Sequence, residues 1–246
     1  MTSHVPPAPV LVGCSHGTDS VTGRAAIASI LRDVAAARPD LDVREAFVDV
    51  QQPELPDVVA GAVVQAPAVV VPLLLSTGFH VKTDVAEAVD RPGAAAGRPM
   101  GPDPRLVEIL ADRLAAVQVA PEDAVVVAAA GSSDPDAATA VREVVAGLAA
   151  HLGRPVTVGY GSGAHPRVPV AVAAARAGLA PGGRVVVASY LLAPGFFLDR
   201  VHEAGADVVT AALAPDPRLA QIALDRYDEV AARASATWPS DVAADA

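Results

Sequence analysis

The sequence predicts an α/β protein built from two tandem-duplicated βαβ domains, each a parallel sheet flanked by helices, with an active cleft between them. Apolar β-branched runs alternate along the chain with segments whose apolar residues recur at helical spacing, as in parallel α/β proteins. The whole series of landmarks then starts again near residue 121, so that equivalent positions lie about 115 residues apart. Together, these two observations predict the fold class.

The first half opens with two predicted strand-helix units. The strands are Val10–Gly13 and Leu41–Val50. After the first strand, apolar residues at positions 27, 30, 31 and 34 form one face of a helix. After the second, Pro53 and Pro56 introduce a helix over Asp57–Gln65.

The most apolar run, Val69–Leu75, predicts a third strand that is buried on both faces. A short helix is predicted after it, over His80–Val89. Arg91–Met100 is poor in β-formers, so little in the sequence indicates a fourth strand there. Pro102-Asp103-Pro104 then opens the last helix of this half, with residues 106, 109, 110, 114 and 117 on its apolar face.

The second half repeats these landmarks in the same order. The equivalents of the three strands are Val125–Ala128, Val156–Tyr160 and Val185–Leu192, and Pro215-Asp216-Pro217 matches the opening of the last helix. We therefore predict an amino-terminal domain at residues 1–120, a degenerate repeat at residues 121–236 and a tail at residues 237–246.

Composition excludes several classes of function. The net charge is −10, and no Lys/Arg cluster is longer than a pair, which argues against a nucleic-acid surface. The first residues do not resemble a signal peptide, and no apolar run reaches the length of a membrane span, so we expect a cytoplasmic protein without a membrane partner. A single cysteine, Cys14, leaves histidine and carboxylate as the candidate metal ligands.

Two histidines follow strand ends in the first half only. His16 and His80 come just after the first and third strands, and the repeat has Ala130 and Phe197 at the equivalent positions. Ligands bind at the carboxyl edge of open parallel sheets, and two imidazoles suit a divalent transition metal. Asp49, at the end of the second strand, is the candidate third ligand. The alternatives are surface histidines and a turn or capping aspartate.

The segments around these histidines resemble those of a known family. His16-Gly17-Thr18 and the run from Val71 to Val85 (VPLLLSTGFHVKTDV) resemble the two signature segments of the sirohydrochlorin chelatases, the ATP-independent class II tetrapyrrole chelatases, in their two-domain form. The resemblance implies a lyase that inserts Fe²⁺ or Co²⁺, with Ni²⁺ also possible, into sirohydrochlorin for sirohaem or cobalamin synthesis, without a nucleotide. It also implies that His16 and His80 are catalytic and bind the metal together with Asp49.

The resemblance further implies a set of residues that bind the tetrapyrrole, namely Gly17, Thr18, Ser76, Thr77 and Gly78. The first motif departs from the family pattern, since Thr18-Asp19 stands where the family usually has Ser-Arg. Arg24 and Lys82 are the candidates to replace that arginine. At the end of the second strand, Asp49 replaces the family's usual glutamate.

Other interpretations concern the second half and the cysteine. Phe196, Phe197 and Leu198 are expected to form an apolar wall of the cleft. The glycines at residues 159–163 do not have the spacing of a dinucleotide loop, and Cys14 is expected to be a buried bystander. A non-catalytic tetrapyrrole or metal carrier would need the same ligands and is the alternative function. We expect a monomer or a weak homo-oligomer.

Overall fold

The predicted alternation of strands and helices is confirmed in a computed structural model, which describes residues 8–78, 81–234 and 238. The elements of the first half are β1 (Val10–Ser15), α1 (Val21–Ala37), β2 (Val43–Phe47), α2 (Leu55–Val63), β3 (Ala68–Pro72), a π-helical turn (Val81–Val85), α3 (Ala86–Ala88), β4 (Ala94–Ala96) and α4 (Pro104–Ala116). Those of the second half are β5 (Ala124–Ala129), α5 (Pro135–Leu152), β6 (Val156–Tyr160), α6 (Val168–Ala177), β7 (Val185–Tyr190), α7 (Phe196–His202), β8 (Val208–Val209) and α8 (Pro217–Ala234).

The described strands form two parallel sheets of four strands with the same topology. The strand orders are β2-β1-β3-β4 and β6-β5-β7-β8. In both sheets the first strand lies between the second and the third, so the loops after all three leave at one edge. The tandem α/β architecture predicted from the sequence is therefore confirmed, and it places the ends of β1, β2 and β3 side by side.

Four elements differ from their predictions. β2 is shorter than Leu41–Val50, and α2 begins at Leu55, two residues before the predicted start, with a proline in its first turn. Ala94–Ala96 forms a fourth strand against β3, although alanine is a poor β-former, because the backbone alone supplies the hydrogen bonds of an edge strand. Of the helix predicted over His80–Val89, the described part is the π-helical turn followed by α3.

The last helices of the two halves are exchanged. α4 packs against α5 and β7 of the second half, whereas α8 packs against α1 and β3 of the first. The apolar face predicted for α4 is buried except at Val117, which lies just past the helix end, and α8 also has a buried apolar face. Each face is buried against the other half. The domain division at residue 120 stays a prediction, and the exchange shows that the two halves interlock.

A buried ion pair fixes α8 to the first half. The Arg226 guanidinium donates to the Asp103 carboxylate at 2.9 Å and to the carbonyl oxygens of Pro99 and Met100 at 3.1 and 3.0 Å. The Arg226 side chain is 1% exposed and that of Asp103 is 6% exposed. Because a buried charge is costly unless it is paired, this contact specifies where α8 docks. In the described part of the chain, no helix is both long and apolar enough to cross a membrane.

Candidate metal centre at the edge of the first sheet

His16 and Asp49 meet where β1 and β2 end. The two strands are paired in parallel up to Ser15 and Phe47, and the Val48 N–H continues the ladder by donating to the Ser15 carbonyl at 3.1 Å. The chain therefore leaves both strands at the same edge, and His16 Nε2 lies 3.9 Å from Asp49 Oδ2. The side chains are 46% and 61% exposed, so a solvated cation can reach both. Two of the three predicted ligands are thus brought together.

A tight turn orients the Asp49 carboxylate. Its Oδ1 accepts the Val50 N–H at 2.8 Å, which leaves Oδ2 facing His16. The Gln51 N–H donates to the Asp49 carbonyl, and the Gln51 side-chain oxygen accepts the Thr18 N–H at 2.9 Å. Asp49 is therefore a turn residue, as the alternative interpretation held, and its second oxygen is still directed at the histidine.

The third predicted ligand, His80, lies outside the described residues. Among residues 8–78, 81–234 and 238, no three His, Cys, Asp or Glu side chains come together as a metal-binding group. The prediction that His80 joins His16 and Asp49 stays a prediction.

The segment after β3 runs beside β1. The Leu73 N–H donates to the Cys14 carbonyl at 2.7 Å. Farther along, Ser76, Thr77 and Gly78 are half-buried. A Cβ at Gly78 would lie 3.3 Å from Ser132 Oγ, so this segment touches the second half. These three predicted substrate-binding residues thus lie where the two halves meet.

Lys82 spans the two halves. Its ammonium lies 2.7 Å from a carboxylate oxygen of Asp134 and 2.7 Å from one of Asp136, at the beginning of α5. These hydrogen bonds raise the pKa of Lys82, and the hydrogen bond from Lys82 lowers the pKa of Asp134. Sequence reasoning proposed Lys82 for the substrate but missed both aspartates, since only the folded chain brings α5 to this loop.

Arg24 supports the loop between β1 and α1. Its Nε donates to the Thr18 carbonyl at 2.8 Å, and its guanidinium lies 3.5 Å from Asp19. Gly17 adopts a positive φ of 89° and packs against the Asp49 carbonyl, which leaves no room for a side chain. Arg24 and the predicted substrate contacts Gly17 and Thr18 therefore form one local structure next to His16.

Two phenylalanines of the second half lie near the loop between β1 and α1. Phe196 is 66% exposed and Phe197 is 36% exposed, with their rings edge to face at 5.6 Å, and the Arg200 guanidinium lies 5.3 Å from the centre of the Phe196 ring. A Cβ on the preceding Gly195 would lie 3.0 Å from Thr18 Oγ1. Of the three residues predicted to form an apolar wall, Leu198 is buried, so the prediction now rests on the two exposed rings.

Cys14 is a buried bystander, as predicted. Its side chain is fully buried in the core, and burial, together with the nearby Asp84 carboxylate, raises the pKa of the thiol to about 12. A thiol in this state is a poor nucleophile at neutral pH.

A cavity of about 690 Å³ opens beside Asp49. The sequence predicts a cleft between the halves, whereas this cavity is lined by the first half alone. Four carboxylates are among its lining residues, and they belong to Asp49, Glu54, Asp84 and Glu87. Their negative charge favours the approach of cations to this edge of the sheet.

Comparison with solved structures shows the same fold. SirB from Bacillus subtilis with Fe³⁺ is 22% identical, with a TM-score of 0.79 over 95% of this chain and 100% of that one. The sirohydrochlorin chelatase SirB from Bacillus subtilis subspecies spizizenii in complex with cobalt is 20% identical, with a TM-score of 0.75 over 94% and 98%. The multi-domain protein DR2241 from Deinococcus radiodurans is 17% identical, with a TM-score of 0.66 over 94% of this chain and 59% of that one. No curated protein matches the chain.

A protein-family model described as CbiX matches the chain twice, at residues 10–117 and again at residues 124–230. The two matches follow the two halves of the fold, and together they cover most of the sequence. The family resemblance drawn from the histidine motifs is confirmed, and the chain belongs to the CbiX family.

Proposed function

We propose that this protein inserts Co²⁺ or Fe²⁺ into sirohydrochlorin without consuming a nucleotide. The observation that carries the proposal is the pairing of His16 with Asp49 at the carboxyl edge of the first sheet, in a chain of the CbiX family. Solved structures of the same fold include a sirohydrochlorin chelatase in complex with cobalt. The metal ion is a substrate here, so the site has to hold it loosely and release it.

The residues at the edge of the sheet suit this task. His16 and Asp49 offer one nitrogen and one oxygen ligand, both solvent-exposed, so the ion can keep part of its hydration shell. His80 is proposed as the third ligand. When the ion moves to the four ring nitrogens, the two pyrrolic protons leave the macrocycle. An imidazole freed of metal accepts one of them, and solvent water accepts the other.

The macrocycle is proposed to lie between the two halves, against the exposed rings of Phe196 and Phe197. Thr18 and Gly78 border the same region, since a Cβ on Gly195 would lie 3.0 Å from Thr18 Oγ1 and a Cβ on Gly78 would lie 3.3 Å from Ser132 Oγ. Gly17, Ser76 and Thr77 adjoin these two residues in the sequence. A flat tetrapyrrole gains from burying its faces on aromatic rings.

Cationic side chains are needed to bind the carboxylates of the substrate, because the protein carries a net charge of −10 and would otherwise repel them. Arg200 lies over the Phe196 ring and pairs with one carboxylate, that of Glu203, at 2.8 Å. Arg24 lies behind Thr18, 3.5 Å from the Asp19 carboxylate, and we propose that these two arginines bind the substrate carboxylates. Lys82 is held by two aspartates, and we assign it to the bridge between the halves. Because the interlocked halves supply both sides of this site, we propose that the protein acts as a monomer or weak homo-oligomer. We also propose that it is a cytoplasmic enzyme that needs neither nucleic acid nor membrane.

The experiment compares H16A with a matched control, H165A. His165 is an exposed histidine in the loop after β6, at the corresponding edge of the second sheet. H16A should lose metallation of sirohydrochlorin while its melting temperature stays near that of the wild type, because the His16 side chain is about half exposed. H165A should metallate normally. A near-normal rate in H16A would contradict the proposed role of His16.

A second variant tests the placement of the macrocycle. F196A should raise KM for sirohydrochlorin and leave KM for Co²⁺ unchanged, because Phe196 is proposed to contact only the macrocycle. An unchanged KM for sirohydrochlorin would exclude Phe196 from its binding site.

A further inference from the structure

The residue after Asp49 has an unusual backbone conformation. Val50 has a φ of +55°, and its side chain is 46% exposed. In this left-handed region the side chain crowds its own backbone, and β-branched residues are the least suited to it. Gln118 is the other non-glycine residue with a positive φ in the described chain, and it lies just after α4, where helices commonly end in this way. Val50 lies at no helix end.

The second half contains the same turn with a different residue. The Gln51 N–H donates to the Asp49 carbonyl around Val50, and the Ala164 N–H donates to the Ser162 carbonyl around Gly163. Gly163 has a φ of 63°, close to that of Val50. Glycine adopts this conformation without strain, so the fold itself does not require a valine in the turn.

The two turns differ in the side chain that they direct toward the end of the first strand of their sheet. In the first half the turn presents the Asp49 carboxylate to His16 at 3.9 Å. In the second half Ser162 takes the place of Asp49 and Ala130 that of His16, so the turn there carries neither the carboxylate nor the imidazole. The strained residue thus occurs in the half that carries the proposed metal ligands, and strain of this kind is typically retained at functional sites.

The Val50 side chain restrains the turn. Its Cβ packs over Gly17, since a Cβ built on Gly17 would lie 3.2 Å from it. Its amide holds Asp49 Oδ1 at 2.8 Å, so the same residue fixes one carboxylate oxygen and covers the glycine that follows His16. Glycine in this place would keep the turn accessible but would also let it open, because glycine populates both signs of φ.

We infer that Val50 is a positioning residue of the proposed metal centre: its left-handed turn, held against Gly17, keeps the Asp49 carboxylate directed at His16. The inference deepens the proposed function and rests on it for the identity of the metal. It predicts two opposite effects of V50G, since relief of backbone strain stabilises the fold while the looser carboxylate weakens metal binding.

The test measures binding of Co²⁺ alone to the full-length protein by calorimetry, together with the melting temperature. V50G should bind Co²⁺ about tenfold more weakly, the lower end of the effect expected for a residue that orients a ligand. It should also melt slightly higher than the wild type; the gain is small because the greater freedom of glycine in the unfolded chain offsets part of the relieved strain. V50T should bind Co²⁺ like the wild type, because threonine has the same branched shape. Q118G is the matched control, which relieves a positive φ away from the site and should not change Co²⁺ affinity.

Two results of this experiment would overturn the inference, and a third would contradict the strain argument. Wild-type Co²⁺ affinity in V50G, or an equal loss in V50G and Q118G, overturns the inference, and a lower melting temperature in V50G contradicts the strain argument. Turnover of sirohydrochlorin by the wild type separates this result from the proposed function. A wild type that binds Co²⁺, loses affinity in V50G and yet does not metallate sirohydrochlorin would refute the function and support the role of Val50. A wild type that binds no Co²⁺ would refute both.

Discussion

The D49N variant removes one proposed ligand charge with little change in shape. Asparagine can still accept the Val50 N–H, so the turn and the fold should persist. Two unit charges about 4 Å apart interact by about 1 kcal/mol at the dielectric constant of water, which we use as the lower limit because the His16 and Asp49 side chains are about half exposed. A divalent cation held at His16 would double this interaction to about 2 kcal/mol. Since 1.4 kcal/mol corresponds to a factor of ten, we expect D49N to bind Co²⁺ about 30-fold more weakly.

The assay is a calorimetric titration of the protein with Co²⁺ at neutral pH. D33N serves as the control, because Asp33 is an exposed aspartate on α1 and its loss changes the net charge equally. D49E should retain affinity, since it keeps the carboxylate and restores the residue that the family often has there. Equal Co²⁺ affinity in D49N, D33N and the wild type would refute the assignment of Asp49 as a ligand.

Three further predictions concern other contacts. K82Q and D134N should shift KM for sirohydrochlorin in the same direction, because each breaks the bridge between the halves, whereas opposite shifts would show that Lys82 binds the substrate. C14A should metallate like the wild type, and native Cys14 should resist alkylation at pH 8, because the thiol is buried with its pKa raised to about 12; rapid labelling would contradict this. Hydrogen bonds from Arg184 and backbone amides lower the pKa of Asp123 to about 2, below its ordinary value near 3.9. The stabilisation from that carboxylate should be complete above pH 4 and disappear as the pH falls toward 2, so the difference in unfolding free energy between wild type and D123N should narrow over that range in urea titrations. A constant difference would show that the charge of Asp123 is not its source.

Much of the fold follows from local patterns in the sequence. The run Val69–Leu75 predicts a buried strand from its apolar, β-branched composition and its length, although β3 already ends at Pro72. The repeated Pro-Asp-Pro openings at Pro102 and Pro215 mark the last helices of the halves. The exchange of α4 and α8 could not be predicted, because an apolar helix face does not indicate which sheet will bury it. The buried pair of Arg226 and Asp103, which fixes α8 in place, joins residues 123 positions apart.

The candidate site, like the fold, could be predicted from the sequence in part. The positions of His16 and Asp49 follow from parallel strands that end at one edge, so their proximity could be predicted from strand order. The backbone of Val50 could not be predicted from propensity, since valine avoids that conformation. The repeat nevertheless has Gly163 at the equivalent position, and because glycine takes a positive φ most readily, aligning the two halves marks this turn as a candidate for one.

The central claim is that the protein is a catalyst that inserts metal, and turnover tests it most directly. Sirohydrochlorin and Co²⁺ are mixed with a sub-stoichiometric amount of protein, and the metallated product is followed by absorbance. We predict that the product exceeds the protein many times over, and that H16A abolishes this excess. A plateau at one product per protein would contradict catalysis and would identify a carrier instead.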